Sequence, residues 1–534
     1  MVCFLLWEAW VTDYAAQPAE TPTISDSDTA AASDLPVLDD DIPVAADDNT
    51  TDATIVEPVS TTTASKRIRV LTDVLEIEID TQGGSLASAA LLEYPIRKDQ
   101  PDIPIRLLSE QENYVLQAGL LSRDNPAPDH RTTFVAAQDE YVLEPGDDSI
   151  DVILSWTENG VSALRMYTFY RNSYRVDLVQ SLEAGSEPWQ GSPYVQIRRE
   201  QLPRKRGFFD VDSYSFTGPL YFDGEGYEKL SLKDLQKRPL EATTVDGWIA
   251  SVQHHFVTAA VPPAGDTVVY RSRLVDGDIA LMSAVGETVS IGPGQREQFR
   301  HVLWVGPKLQ QPLNEIAPKL DKVVDYGVLA IMSEPLFWLL QKIHGFVGNW
   351  GWAIILLTIL IKLVFYKLTE TSGRSMAKMR ELQPRIKQMQ ERFKDDRQAL
   401  SQAMMELYRK EGANPLAGCL PLLIQMPVFL ALYWVLIESV ELRQAPWILW
   451  IDDLSVRDPY FILPVLMGIT MVVQQKLNPT PPDPVQAKVA TILPIVMAVF
   501  FALFPAGLVL YWFVNTLLSV AQQWHINRVI ARGG

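Results

Sequence analysis

Hydrophobic and polar positions follow two different periods along this chain, and the change of period divides it. From residue 66 to about 310, apolar and polar residues alternate in short runs: VLEIEID (74–80), DVILSWT (151–157), YRVDLVQSL (174–182) and TVVYRSRLV (267–275). Gly, Pro, Asn and Asp interrupt them at short intervals. Period-two runs with such breaks predict antiparallel strands and a large all-β sandwich. Next, SEPLFWLLQKIHGFV (333–347) has its apolar residues on one broad helical face, opposite Gln341, Lys342 and His344. Ser333 is its expected cap, with Pro335 in the first turn. The segment is shorter than the about 20 residues that a span takes, so 311–348 is expected to be a linker and an amphipathic helix in the membrane interface.

Five long apolar runs follow, at about 350–367, 416–437, 460–477, 489–504 and 507–524, which predict a helical membrane domain over 349–534. The last two form one run that would reach roughly 50 Å as a single helix, against a hydrocarbon core of about 30 Å. FPAG at 504–507 supplies the break, giving a tight hairpin of two helices. Between the first two runs, 376–393 and 397–412 have helical patterns separated by KDD, which predicts a helical hairpin over 368–415. Its methionines, Met376, Met379, Met389, Met404 and Met405, either fill gaps between the two helices or offer an adaptable apolar surface.

At the other end, MVCFLLWEAW is apolar over only about half the length of a span. Residues 1–12 are expected to be part of a membrane anchor that begins upstream, or a short interfacial segment. Residues 13–65 are rich in Asp, Ala, Thr, Pro and Ser, too poor in apolar surface to fold, and predict a disordered acidic tether.

Charge sets the orientation. The chain carries a net charge of −19, yet residues 367–414 hold eleven Lys and Arg, from Lys367 to Lys410. By the positive-inside rule that hairpin is cytoplasmic. The 439–459 loop has only Arg443 and Arg457 and belongs outside, so the β domain is outside too.

Several chemistries find no support. The two cysteines, Cys3 and Cys419, lie far apart in apolar surroundings, which suggests neither a disulfide framework nor a thiolate metal site. There is no phosphate loop and no HExxH pattern among six histidines. His254 and His255 lie in a strand-like run, where their rings would point to opposite faces. No nucleophile–base pair occurs at membrane depth, so no enzyme, cofactor or metal is expected. The apolar runs instead contain sparse polar groups: Thr358 and Lys362 on one face of the first, Gln425 in the second, Gln474 and Gln475 in the third, and Tyr511, Trp512, Asn515 and Thr516 in the last. Lys362, Gln425 and the last group are expected at similar depth. They form either a solvated cavity or a snorkelling lysine beside glutamines that glue helices together. A solute transporter or channel is the alternative, but it calls for paired ionisable groups and internal repeats; one lysine stands here without an acidic partner. A membrane-anchored carbohydrate-active enzyme would need carboxylate and histidine pairs in a cleft of the β domain.

Residues 375–468 and FPAGLVLYWFVNTLLSVAQQW (504–524) closely resemble the YidC/Oxa/Alb insertase family. YEKL (227–230) and DGWIASVQHHFVTAAVPP (246–263) resemble the outer domain of its Gram-negative members, and FLLWEAW the end of their first span. The resemblance implies a protein that brings newly made membrane proteins into the bacterial inner membrane, alone or beside the Sec translocon. It implies five core helices around a hydrophilic groove, open to the cytoplasm and to lipid, and a periplasmic β-supersandwich of a sugar-binding kind (66–310). Lys362, Thr358, Gln425, Tyr511, Trp512, Asn515 and Thr516 would line the groove, whose positive charge attracts a client's acidic tail. Met426, Pro427, Phe429, Phe500 and Phe504 would form a hydrophobic slide for the client's apolar span, and the hairpin would receive the client first. Implied partners are nascent membrane proteins, the Sec translocon, the ribosome and lipid, with no recognition of nucleic-acid sequence. Two departures stand out. Lysine at 362 replaces the family's usual arginine, keeping the charge and losing the planar fork. YKLT (366–369) replaces YPLT, so the first core span is expected to run further into the cytoplasm.

Overall fold

The computed structural model describes residues 66–200, 215–393, 396–412, 420–477 and 484–533. The expected anchor, the expected tether, Cys3, Cys419 and the start of the run at 416–437 lie outside those residues.

From Arg67 to Pro307 the alternating runs form two sheets, of eleven and nine strands. In the strand Val161–Tyr170 every second side chain is buried, as its period requires. Fully buried Trp189, Trp248 and Trp304 belong to one continuous core, each contributing about 1.5–3 kcal/mol or more by leaving water. Strand pairing is antiparallel with one exception among the described residues: Arg67–Leu71 pairs in parallel with Glu140–Val142. The histidine pair departs from expectation. It follows the strand Trp248–Val252 instead of lying in it, so backbone alternation does not apply and the two rings stack 3.8 Å apart. No group of three or more potential metal ligands occurs among the described residues.

The helices are α1 (Leu232–Lys237), α2 (Gln310–Ile316), α3 (Ala330–Val347), α4 (Trp350–Val364), α5 (Tyr366–Arg392), α6 (Arg397–Glu411), α7 (Leu420–Glu438), α8 (Ile462–Leu477), α9 (Pro484–Phe501) and α10 (Ala506–Gly533). Helix α3 begins three residues before the expected cap. Leu329 is its N-cap and makes no side-chain bond; Ser333 is buried within it and donates to the Ala431 carbonyl of α7 at 3.1 Å. Asn349 caps α4, its side chain accepting from the Trp352 N–H at 3.1 Å, and Asp396 caps α6 in the same way.

Beyond α4 the chain does continue as a helix, α5, but not in line with it. The chain bends by 62° between α4 and Tyr366–Ser375, although no proline stands there. The Thr369 hydroxyl donates to the Phe365 carbonyl at 3.1 Å, a back-bond of the kind that bends helices, and Gln522 of α10 donates to the Tyr366 carbonyl at 3.3 Å. The corner thus forms with lysine at 367.

At residues 502–505 the last apolar run breaks where FPAG predicts. The freed backbone is satisfied by the 454–456 loop: Ala506 N–H donates to the Val456 carbonyl at 2.7 Å and Gly507 N–H to the Leu454 carbonyl at 2.9 Å. The two helices meet through Phe501 and Trp512, whose rings lie 5.2 Å apart.

No single helix of the described residues is long and apolar enough to cross a membrane; α4 and the start of α5 reach that length only together, as a bent pair. Yet apolar side chains cover the outside of the bundle. Leu356, Leu360 and Leu363 of α4, Ile469 and Val473 of α8, and Ile492, Val496 and Val499 of α9 are all exposed, recurring at helical spacing. Contiguous surface of this kind marks a membrane or partner interface.

The sandwich docks on the segment that ends α7. Val440 is buried in the core of the sandwich. His254 Nε2 lies 2.9 Å from the Ile437 carbonyl, and Arg443 donates to the Pro95 carbonyl at 2.8 Å. Beneath them Lys308 and Glu438, 2% and 1% exposed, form an ion pair at 3.3 Å, with Ser215 Oγ donating to the same carboxylate at 3.1 Å.

Candidate functional site

An ammonium group inside an apolar bundle needs polar company, and the bundle supplies it from three helices. Half-buried Lys362, in the last turn of α4, donates from Nζ to Ser519 Oγ of α10 at 2.7 Å. Ser519 donates onward to the Asn515 carbonyl at 2.8 Å. Gln425 of α7 donates from Nε2 to Asn515 Oδ1. The result is a polar seam, Lys362–Ser519–Asn515–Gln425, crossing α4, α10 and α7. Beside it lies a cavity of about 20 Å3, whose walls include Lys362, Gln425, Phe365 and Thr369. That is room for about one water molecule.

Three of the expected groove residues, Lys362, Gln425 and Asn515, meet in this seam. Thr358 does not: it is buried, and its hydroxyl donates to the Ile354 carbonyl of its own helix at 2.7 Å. Sharing a helical face with Lys362 was too coarse a criterion, because a threonine can satisfy itself on the preceding turn. Thr516 is buried. Tyr511 is buried with its ring stacked on Phe429 at 6.3 Å, and Trp512 meets Phe429 edge-on at 4.8 Å. These two belong to an aromatic cluster next to the seam. Sequence reasoning missed Ser519, since one serine in a helix is common; its position four residues after Asn515, on the same face, was the available signal.

Three of the expected slide residues, Phe429, Phe500 and Phe504, gather at one junction around Phe501. Phe429 packs on Phe501 at 6.1 Å, and Phe504 on Phe500 at 4.8 Å. Met426 and Phe500 are exposed, while Pro427 is partly buried within α7. In the hairpin, Met379, Met389 and Met404 pack on a small core of Leu382, Ile386 and Leu407, which is the gap-filling role. Met405 is exposed, and the side chain of Met376 lies outside the described residues.

A large β-sandwich fixed to a helical bundle that is apolar outside and carries a lysine-centred polar seam within defines a membrane protein with a substantial extramembrane domain. The comparisons with known proteins agree. Residues 342–532 match the family described as 60Kd inner membrane protein, and residues 67–339 match the YidC periplasmic domain. The chain is 50% identical to the membrane protein insertase YidC of Thioalkalivibrio sulfidiphilus, over 100% of this chain and 97% of the relative. It is 44% identical to that of Methylococcus capsulatus, over 99% and 96%. Among solved structures, an active YidC insertase with its first transmembrane domain resolved is similar at 21% identity and a TM-score of 0.40, covering 87% of this chain and 94% of that one. The chain belongs to the YidC family of membrane protein insertases.

Proposed function

We propose that this chain inserts newly made proteins into the bacterial inner membrane and assists their folding. The observation that carries the reading is the polar seam: Lys362, Ser519, Asn515 and Gln425 joined inside a bundle whose outer surface is apolar. Taking a short polar tail through a full hydrocarbon core is costly because nothing there replaces water. A seam of donors and acceptors part of the way across offers replacements, and the ammonium of Lys362 favours acidic tails. Partition of the client's apolar helix into lipid supplies the driving force, at about 25 cal/mol per Å2 buried, so no nucleotide is needed.

In this reading α4 and α7–α10 are the membrane segments, the α5–α6 hairpin faces the cytoplasm and meets clients first, and the sandwich stands in the periplasm. Exposed Met426 and Phe500, with Phe429 and Phe504 behind them, guide the client's span. The ribosome, the Sec translocon and lipid are the partners, with Arg528 near the end of α10 as a basic contact for the ribosome. The transporter alternative is disfavoured because Lys362 pairs with a serine hydroxyl where ion coupling would call for a carboxylate.

Photo-crosslinkers placed at Gln425 and, separately, at Lys362 test this, with ribosomes stalled on a short-tailed membrane protein. Crosslinks that require the nascent chain's apolar span are expected. Absence of crosslinks at both positions, with the protein folded and the ribosomes engaged, would leave the seam as helix glue and overturn the proposal.

A further inference from the structure

The insertase reading makes no use of a cleft of about 580 Å3 beside α3. Its walls come from α2, which follows the last strand of the sandwich, from the single turn at Leu320–Val323, and from α3 itself. The outer face of α3 leads out of the cleft. Ile331, Trp338 and Phe346 are exposed there, each about two helical turns from the next.

The charges of the cleft are balanced but not all paired. Lys322 donates to Glu334 Oε1 at 2.6 Å and lies 3.6 Å from Asp321, so two carboxylates share one ammonium. Both carboxylates are partly exposed and within reach of a ligand. The second ammonium stands apart. Lys342 is exposed, has no carboxylate partner among the described residues, and holds its Nζ 5.9 Å from the centre of the Trp338 ring. These four groups sum to zero charge. The neutral lining adds acceptors: Gln311 donates from Nε2 to Glu315 at 3.3 Å and Gln341 from Nε2 to Glu441 at 3.5 Å. With an N–H of each drawn to a carboxylate outside the lining, the two amide oxygens remain to accept.

This pattern selects its ligand. An anion alone would meet Asp321 and Glu334, and a cation alone would meet Lys342 and Lys322. A quaternary ammonium has no N–H to offer the acceptors. A zwitterion with a primary ammonium and a phosphate suits both ends: three N–H donors for the carboxylates and amide oxygens, and phosphate oxygens for Lys342. The volume lies in the range of about 300–1,000 Å3 that holds small ligands. A soluble zwitterion would leave the apolar stripe of α3 uncovered, whereas acyl chains cover it. We propose that the cleft binds the headgroup of an ethanolamine phospholipid, its ammonium at Asp321 and Glu334, its phosphate at Lys342 and its acyl chains along Ile331, Trp338 and Phe346. The proposal rests on the reading that sets the bundle in the membrane and the sandwich outside it, which puts the cleft at the outer leaflet.

The test is native mass spectrometry of the full chain released from detergent, with ethanolamine, choline and glycerol phospholipids of identical acyl chains at equal concentration. Preferential retention of the ethanolamine lipid is expected, with binding about tenfold weaker in Lys342→Gln and in Glu334→Gln. Three results overturn the proposal: equal retention of the three lipids, binding unchanged in either folded variant, or displacement of the lipid by an equal concentration of water-soluble glycerophosphoethanolamine. Thermal unfolding shows whether each variant is folded. Should Glu334→Gln fail because it also loosens Lys322, Lys342→Gln, at an exposed position, decides alone. Retention is read without client or ribosome, so a negative result here leaves the crosslinking at Gln425 and Lys362 to stand or fall separately.

Discussion

Lys308 and Glu438 pose the sharpest question at the scale of single residues. Burial pulls the Lys308 ammonium below its ordinary pKa, and the Glu438 carboxylate pulls the other way. Removing one partner strands the other charge, so Lys308→Met is expected to cost about 3–5 kcal/mol, and Lys308→Met with Glu438→Leu much less. Thermal unfolding of both variants in detergent checks the difference; equal losses would show that packing, not charge, dominates. Three residues after Glu438, burial pushes the Glu441 carboxyl up to about 7. The residue is only partly buried by area, but Oε2 is sealed and has no partner. Between the ordinary value and 7 the folded chain holds more protons than the unfolded chain, so stability falls as pH rises through that window and the full penalty is present above it. Glu441→Gln is therefore expected to raise the melting temperature at pH 8, by the equivalent of about 3 kcal/mol at most, and to change little below pH 4.5. Comparison with the parent at each pH isolates this group, because His301, pushed down to about 4 by burial, has the opposite dependence. Lys362 was legible in the sequence because an ionisable group in an apolar run needs a reason. Lys308 and Glu438, 130 residues apart in chain segments without any distinguishing pattern, gave no such sign.

Among the elements, the corner at Phe365 shows how one position in a motif differs from the geometry it accompanies. Lys367 is exposed in the first turn after the bend, where a backbone N–H has no intrahelical partner and proline is tolerated. Lys367→Pro is expected to shift stability by less than about 1 kcal/mol; a large loss would mean that the corner depends on the lysine. The α5–α6 hairpin rests on three buried side chains and an ion pair, Arg385–Glu411 at 2.7 Å. Leu407→Ala removes about 2–5 kcal/mol from that small core. Hydrogen exchange is expected to accelerate across 382–411 and to remain unchanged in 67–307; acceleration in the sandwich as well would join the two regions into one cooperative unit. Strand and helix type followed from period alone, because period is a local property. The start of α3 did not, since Ser333 bonds to α7, a neighbour that no local pattern reveals.

For the whole molecule, the apolar girdle and the seam divide the labour. Side chains such as Ile492, Val496 and Val499 meet the surroundings, and the charge stays inside. The sandwich grips the end of α7 through backbone carbonyls at Pro95 and Ile437 and through the buried ion pair. That grip has a mechanical meaning. With the Glu438 end held, α7 is a lever whose fulcrum sits against the sandwich, and Gln425, thirteen residues away, rides on an arm of about 20 Å. A swing of roughly 8° then carries Gln425 about 3 Å, one water diameter, over the about 1.5 Å rise per residue that sets the arm's length. Such a swing would widen the cavity beside Lys362 most at the end farthest from the fulcrum, so a rigid outer domain would convert a small rotation into an entrance.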